Sequence, residues 1–172
     1  MRQILLLCLS LVPTSIFAQD DSFPASWEGV WQGDLQVFKY GNEVQRIPMS
    51  LTILPLGTDG QYTWAIQYGK DESGLRPYRL IPADPEKGQF AIDEQNGIVL
   101  DGFFQRDTYY SLFSVSGSLL QTRVQRDEDT LHYEITAGPM EALNTTGGQD
   151  SIPAVDSYAV PTLQRAILLR QE

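Results

Sequence analysis

Residues 109–137 read YYSLFSVSGSLLQTRVQRDEDTLHYEITA. Their register can be worked out by pairing apolar residues with apolar residues. A two-residue turn at Ser116-Gly117 sets Val115 opposite Ser118. It then pairs Phe113 with Leu120, Ser111 with Thr122 and Tyr109 with Val124. A second turn over 127–130 sets Arg126 opposite Leu131, Val124 opposite Tyr133 and Thr122 opposite Ile135. A strand has a side-chain period of two, so a slip of one residue would turn the apolar set outward. This register keeps one face inside through three strands. It also sets Arg123 opposite Glu134 on the outer face, a cross-strand charge pair worth about 0.2–1 kcal/mol. The stretch is therefore expected to be an antiparallel meander.

The same period runs through most of the chain, broken at short intervals by Gly, Pro, Asn and Asp. Strands are expected at 27–38, 46–54, 62–68, 78–81, 89–93, 98–104, 108–116, 119–126 and 130–137. Around Asn96-Gly97 a two-residue hairpin would set Ile92 against Asp101. A three-residue loop, Gln95-Asn96-Gly97, instead pairs Ile92 with Leu100 and gives Gly97 the left-handed position that such loops require. The final stretch, 159–170, is open to two readings. Leu163, Ala166 and Ile167 have helical spacing. As a strand, Leu163, Ile167 and Leu169 share a face with Arg165, and this strand would close an otherwise open sheet edge. The strand is preferred. The fold class expected is all-β, a single antiparallel up-and-down β-barrel of about nine or ten strands.

The first 18 residues are read as a secretory signal peptide. Arg2 begins it, an apolar run follows, and Ala18 offers a small residue for cleavage. The apolar run is shorter than the roughly 20 residues a membrane span needs. Residues 19–172 then form the barrel domain, exported to the periplasm or secreted. Cys8 is the single cysteine and would leave with the signal, so no disulfide is expected. The chain carries 12 basic and 22 acidic residues, a formal net charge of −10, and loss of Arg2 makes it more negative. Such a charge argues against nucleic acid or an anionic membrane as partner.

The first strand falls within SWEGVWQGDLQVF, residues 26–38, where Trp27, Gly29, Trp31, Gly33, Leu35 and Val37 alternate. Gly29-Val30-Trp31 resembles the G-x-W entry motif of the lipocalin and calycin-like barrels. It is also similar to the starts of exported bacterial proteins with W-x-G-x-W-x-G. The resemblance implies that Trp31 plugs the closed end of the barrel. It implies too that an arginine near the last strand, Arg165 or Arg170, packs across the indole, a contact of about 0.5–2 kcal/mol. Asp107-Thr108-Tyr109-Tyr110 only echoes the T-D-x-x-Y element of lipocalins. Haem-binding calycins rely on a histidine near the C-terminus, which this chain lacks, so no haem or other cofactor is expected.

The alternation assigns Trp31, Tyr62, Trp64, Tyr68, Tyr109, Phe113 and Tyr133 to the inner face, with Ser111 and Thr122 beside them. Two readings stay open. The aromatics fill a solid core, or they line a ligand cavity in which tyrosine hydroxyls find polar partners. Small Ser111 and Thr122 would leave volume unfilled. His132, the single histidine, falls on the outer face, and no metal set or nucleophile–base pair is readable. The carboxylates, Asp93-Glu94 among them, read as solvated turns. Between 138 and 157 the period stops, leaving a long connector that contains a glycosylation-type Asn144-Thr145-Thr146. The expectation is a non-enzymatic, lipocalin-like binder of a small apolar or amphipathic ligand. The alternative is a protein–protein module with a packed barrel, using the 138–157 loop or the barrel rim. That alternative would show an exposed apolar patch outside the mouth.

Overall fold

The structure is a computed structural model that describes residues 22–172. The expected signal peptide and its cleavage point lie outside the described residues. Twelve strands follow in order: β1 Gly29–Lys39, β2 Asn42–Ile53, β3 Tyr62–Tyr68, β4 Leu75–Asp84, β5 Gln89–Asp93, β6 Val99–Gln105, β7 Thr108–Val115, β8 Ser118–Asp127, β9 Thr130–Pro139, β10 Asn144–Thr146, β11 Val155–Ser157 and β12 Thr162–Arg170. Ten of them close an all-antiparallel up-and-down barrel in the order β1-β12-β9-β8-β7-β6-β5-β4-β3-β2. The architecture is compatible with a calycin-like fold.

The meander register is as the sequence implies. Tyr109 pairs with Val124, Ser111 with Thr122 and Phe113 with Leu120 across β7 and β8. Val124 pairs with Tyr133 and Thr122 with Ile135 across β8 and β9. Ile92 pairs with Leu100 across β5 and β6, and Gly97 takes a φ of +97° in the loop between them. The chain end is strand β12, which pairs with both β1 and β9 and removes the open edge. Its helical propensity yields because closure satisfies two rows of backbone hydrogen bonds at once.

Some details differ. Arg123 and Glu134 are in register, but Arg123 donates to Gln125 on its own strand instead. Arg165 sits opposite Glu134 on its other side, so the carboxylate lies between two arginines. β4 is ten residues long, not the four expected over 78–81. Pro77 and Pro82 obscure it in sequence, yet both are tolerated within the strand, which is irregular after Pro82. The connector after β9 contains a small hairpin, β10 with β11, where Thr145 Oγ1 donates to Asp156 Oδ1 at 2.6 Å.

The two ends of the barrel are built differently. One end is closed by residues 22–27, where a 3-10 turn, Ala25–Trp27, brings Phe23 and Trp27 under the strands. Phe23 stacks on Phe104 with centroids 4.2 Å apart and meets Phe90 and Trp27 edge-on. The other end holds the β1–β2, β3–β4, β5–β6 and β7–β8 turns and the β10–β11 hairpin. Among the described residues no helix is long and apolar enough to cross a membrane.

Candidate functional site

Trp31 sits at the closed end and is fully buried. Its Nε1 donates to the carbonyl of Trp27 at 3.0 Å. The guanidinium that covers it belongs to Arg170, whose Cζ lies 4.2 Å from the ring centroid. Arg165, the structural arginine named alongside Arg170 from sequence, stacks on Phe38 instead, at 4.9 Å. Register explains this correction: Arg170 pairs with Trp31, whereas Arg165 pairs with Gln36 five positions away. Arg170 also donates to the carbonyls of Glu28 and Ser26 and pairs with Asp129 at 3.0 Å. Gly29 makes room for this clamp. Its φ is +143°, and a Cβ there would lie 3.2 Å from Arg170 Nη1. Trp31 is thus part of the plug, and it is not among the residues that line the cavity described next. Tyr62, at the start of β3 on the same side, packs partly buried against the core and likewise does not line that cavity.

Above this plug, in the open half, lies an internal cavity of about 160 Å³. It brings together Trp64, Tyr68, Tyr109 and Ser111 with Phe113, Thr122 and Tyr133. These are seven of the nine residues singled out from sequence as ligand-facing. The floor is Trp64 and Tyr109, with ring centroids 5.6 Å apart, and Trp27 backs Trp64 at 6.5 Å. Tyr109 leans across Gly102 on the neighbouring strand. A Cβ at Gly102 would come within 2.2 Å of the Tyr109 hydroxyl, so only glycine leaves space for it.

The polar groups of the cavity are unevenly satisfied. The hydroxyls of Tyr68 and Tyr133 bond to each other at 3.2 Å. Ser111 Oγ donates to the carbonyl of Asp101 at 2.6 Å. The Tyr109 hydroxyl is buried and has no hydrogen-bond partner among the described residues. Burial pushes the Tyr109 hydroxyl well above the usual phenol range, and the Asp101 charge adds to the effect. Burial does the same to Tyr133, helped by neighbouring Tyr68. Tyr68 is raised too, by burial and against the hydrogen bond from Tyr133 and the charge of Arg76. The cavity tyrosines are thus neutral hydrogen-bonding groups at any ordinary pH.

Sequence reasoning missed two polar members of the lining, Tyr78 and Glu94. Tyr78 lies two residues from the fully buried Leu80 on β4. Both lie within the 78–81 strand expected from sequence, so alternation from Leu80 would have turned Tyr78 inward. Glu94 follows Ile92 by two residues for the same reason. It reads as a solvated turn carboxylate because it adjoins Asp93 and the Gln95-Asn96-Gly97 loop. Asn96 Nδ2 donates to Glu94 Oε2 at 3.1 Å. Burial, then the Glu94 charge, push the Tyr78 hydroxyl upward.

A larger concavity, about 650 Å³, opens at the plugged end, where Phe23, Trp27, Phe90 and Phe104 line it together with Arg106 and Arg126. His132 lies on the outer wall beside Arg123, Glu134 and Arg165, facing outward as its strand position implies. No protein-family model matches the chain, and no curated protein sequence matches it.

Proposed function

We propose that the protein is an exported, lipocalin-like binding protein without catalytic activity. In this reading it holds a small apolar or amphipathic molecule in the open half of its barrel. The observation that carries it is the cavity ringed by aromatic side chains, in which small Ser111 and Thr122 leave volume unfilled. The size is a firm constraint. Drug-sized ligands occupy roughly 300–1,000 Å³, whereas a cavity of about 150 Å³ takes one benzene-sized molecule. The occupant is therefore compact, or reaches out through the mouth. Export rests on the three-part layout of residues 1–18. Native mass spectrometry of protein purified from an exported preparation tests both points. The expected result is a polypeptide mass beginning at Gln19 and an added small mass that is lost on denaturation. A chain retaining residues 1–18 would overturn the export reading. An interior that takes up no benzene in an NMR titration would overturn the binding reading.

A protein-docking role is favoured by a different observation. The connector after β9 exposes Met140, Leu143, Ile152, Val155, Tyr158 and Val160 beside the mouth, with Leu143 at 73% and Ile152 at 63% exposure. Six exposed apolar side chains on one connector favour a partner surface there. Photo-crosslinking in the producing cell from positions 143 and 152 checks it. Protein adducts are expected there and not from position 167 on the barrel wall. Equal labelling from all three positions would remove this reading.

A further inference from the structure

We propose that the cavity's ligand is a small organic cation, an amine or a quaternary ammonium with compact apolar substituents. This rests on reading the barrel as a small-molecule binder, and it names the chemistry that the site would select. The rings of Trp64, Tyr68, Tyr78, Phe113 and Tyr133 surround the space. Aromatic faces carry partial negative charge and attract cations, most strongly when water is excluded. Glu94 is the one charged side chain among the residues lining the cavity, and no Lys, Arg or His joins it. A carboxylate ligand would meet that negative charge with no lining cation to neutralise it. A purely apolar ligand would leave Glu94 unused. A cation uses both the ring faces and Glu94. Its charge would sit among the ring faces near Glu94, and its apolar groups would fill the volume beside Ser111 and Thr122. The net charge of −10 draws cations toward the protein at long range.

One group opposes this arrangement. Arg76 stands on the inner face of β4 at the rim, and its charge reaches Tyr68 and Tyr78. Its Nη1 is turned back to the carbonyls of Ser73 and Leu75 at 2.9 and 3.0 Å, and it lies outside the lining. Glu94 and Arg76 therefore act on a bound cation with opposite signs, which gives the test two directions.

Choline and 3,3-dimethyl-1-butanol have nearly the same shape and differ in charge. Both would be titrated into the purified protein by NMR, with benzene as a probe of the cavity alone. Choline is expected to bind at least about tenfold more tightly than the alcohol, a difference of roughly 1.4 kcal/mol. Glu94→Gln should cut that preference about tenfold, and Arg76→Gln should increase it. Choline binding should weaken with added salt while alcohol binding does not, a readout that needs no variant to fold. The proposal is overturned if the alcohol binds as well as choline, or if Glu94→Gln leaves the preference intact. If benzene binds and choline does not, the cation proposal falls and the binding protein remains. If none of the three binds, both fall.

Discussion

The two halves of this barrel are made from the same ten strands with the same alternation, yet one is solid and the other hollow. In the plugged half, Trp31, Leu51, Ile53, Leu131 and Leu168 are fully buried, and residues 22–27 add Phe23 and Trp27 from below. In the open half the inward positions include small Ser111 and Thr122, and no segment of the described chain fills the volume beside them. Alternation decides which residues face inward. The sizes of those residues, and whether the chain folds back over an end, decide whether the interior is core or cavity.

The largest expected effect would break the solid half. Trp31→Ala removes the plug and the surface under Arg170, and should cost about 3–5 kcal/mol in urea unfolding. A cost under 1 kcal/mol would mean that this half is not the stabilising one. Alkali probes the hollow half. Tyr68, Tyr109 and Tyr133 are held neutral by burial, so their folded pKa values exceed the unfolded value near 10. The stability linked to these groups is complete below about pH 10 and is lost as pH rises toward the folded values. Each group then contributes up to about 1.4 kcal/mol per pH unit. Tyrosinate absorbance should rise in step with unfolding, and ionisation of these tyrosines in a still-folded barrel would contradict the burial.

Arginine substitutions sharpen the contrast further. Arg170→Ala should cost about 2 kcal/mol, because it strips the indole contact and leaves two backbone carbonyls without a donor. Arg165→Ala, on the outer wall, should cost under about 1 kcal/mol. Comparable losses would refute the assignment of the clamp to Arg170. The smallest effect belongs to the cavity floor. Tyr109→Phe removes a hydroxyl that has no protein partner, so ligand-free stability should be unchanged or rise by up to about 1 kcal/mol. Tyr133→Phe breaks the bond to Tyr68 and should lose about 0.5–1.5 kcal/mol. The reverse order would show that the Tyr109 hydroxyl is satisfied.

Much of this was determined by the sequence alone. The 109–137 meander and the Gln95-Asn96-Gly97 loop follow from a period of two, because a shift of one residue exposes every apolar side chain at once. Seven of the nine residues assigned to the ligand face do share one cavity, for the same reason. The closing strand follows instead from the need to cover an open edge, and it buries Ala166 and Leu168 while Ile167 and Leu169, on the face the sequence offered, are exposed. What alternation does not carry is position along the barrel axis. Trp31 and Tyr62 face inward as expected, but at the plugged end. The choice between Arg165 and Arg170 turned on the β1–β12 register, which joins the two ends of the chain and leaves no local trace. Glu94 looked like a turn carboxylate because its neighbours form a turn, and only strand packing shows its side chain reaching the cavity. The cavity itself belonged to the tertiary structure. A space is defined by what does not fill it, and that depends on side chains from several strands meeting across the barrel.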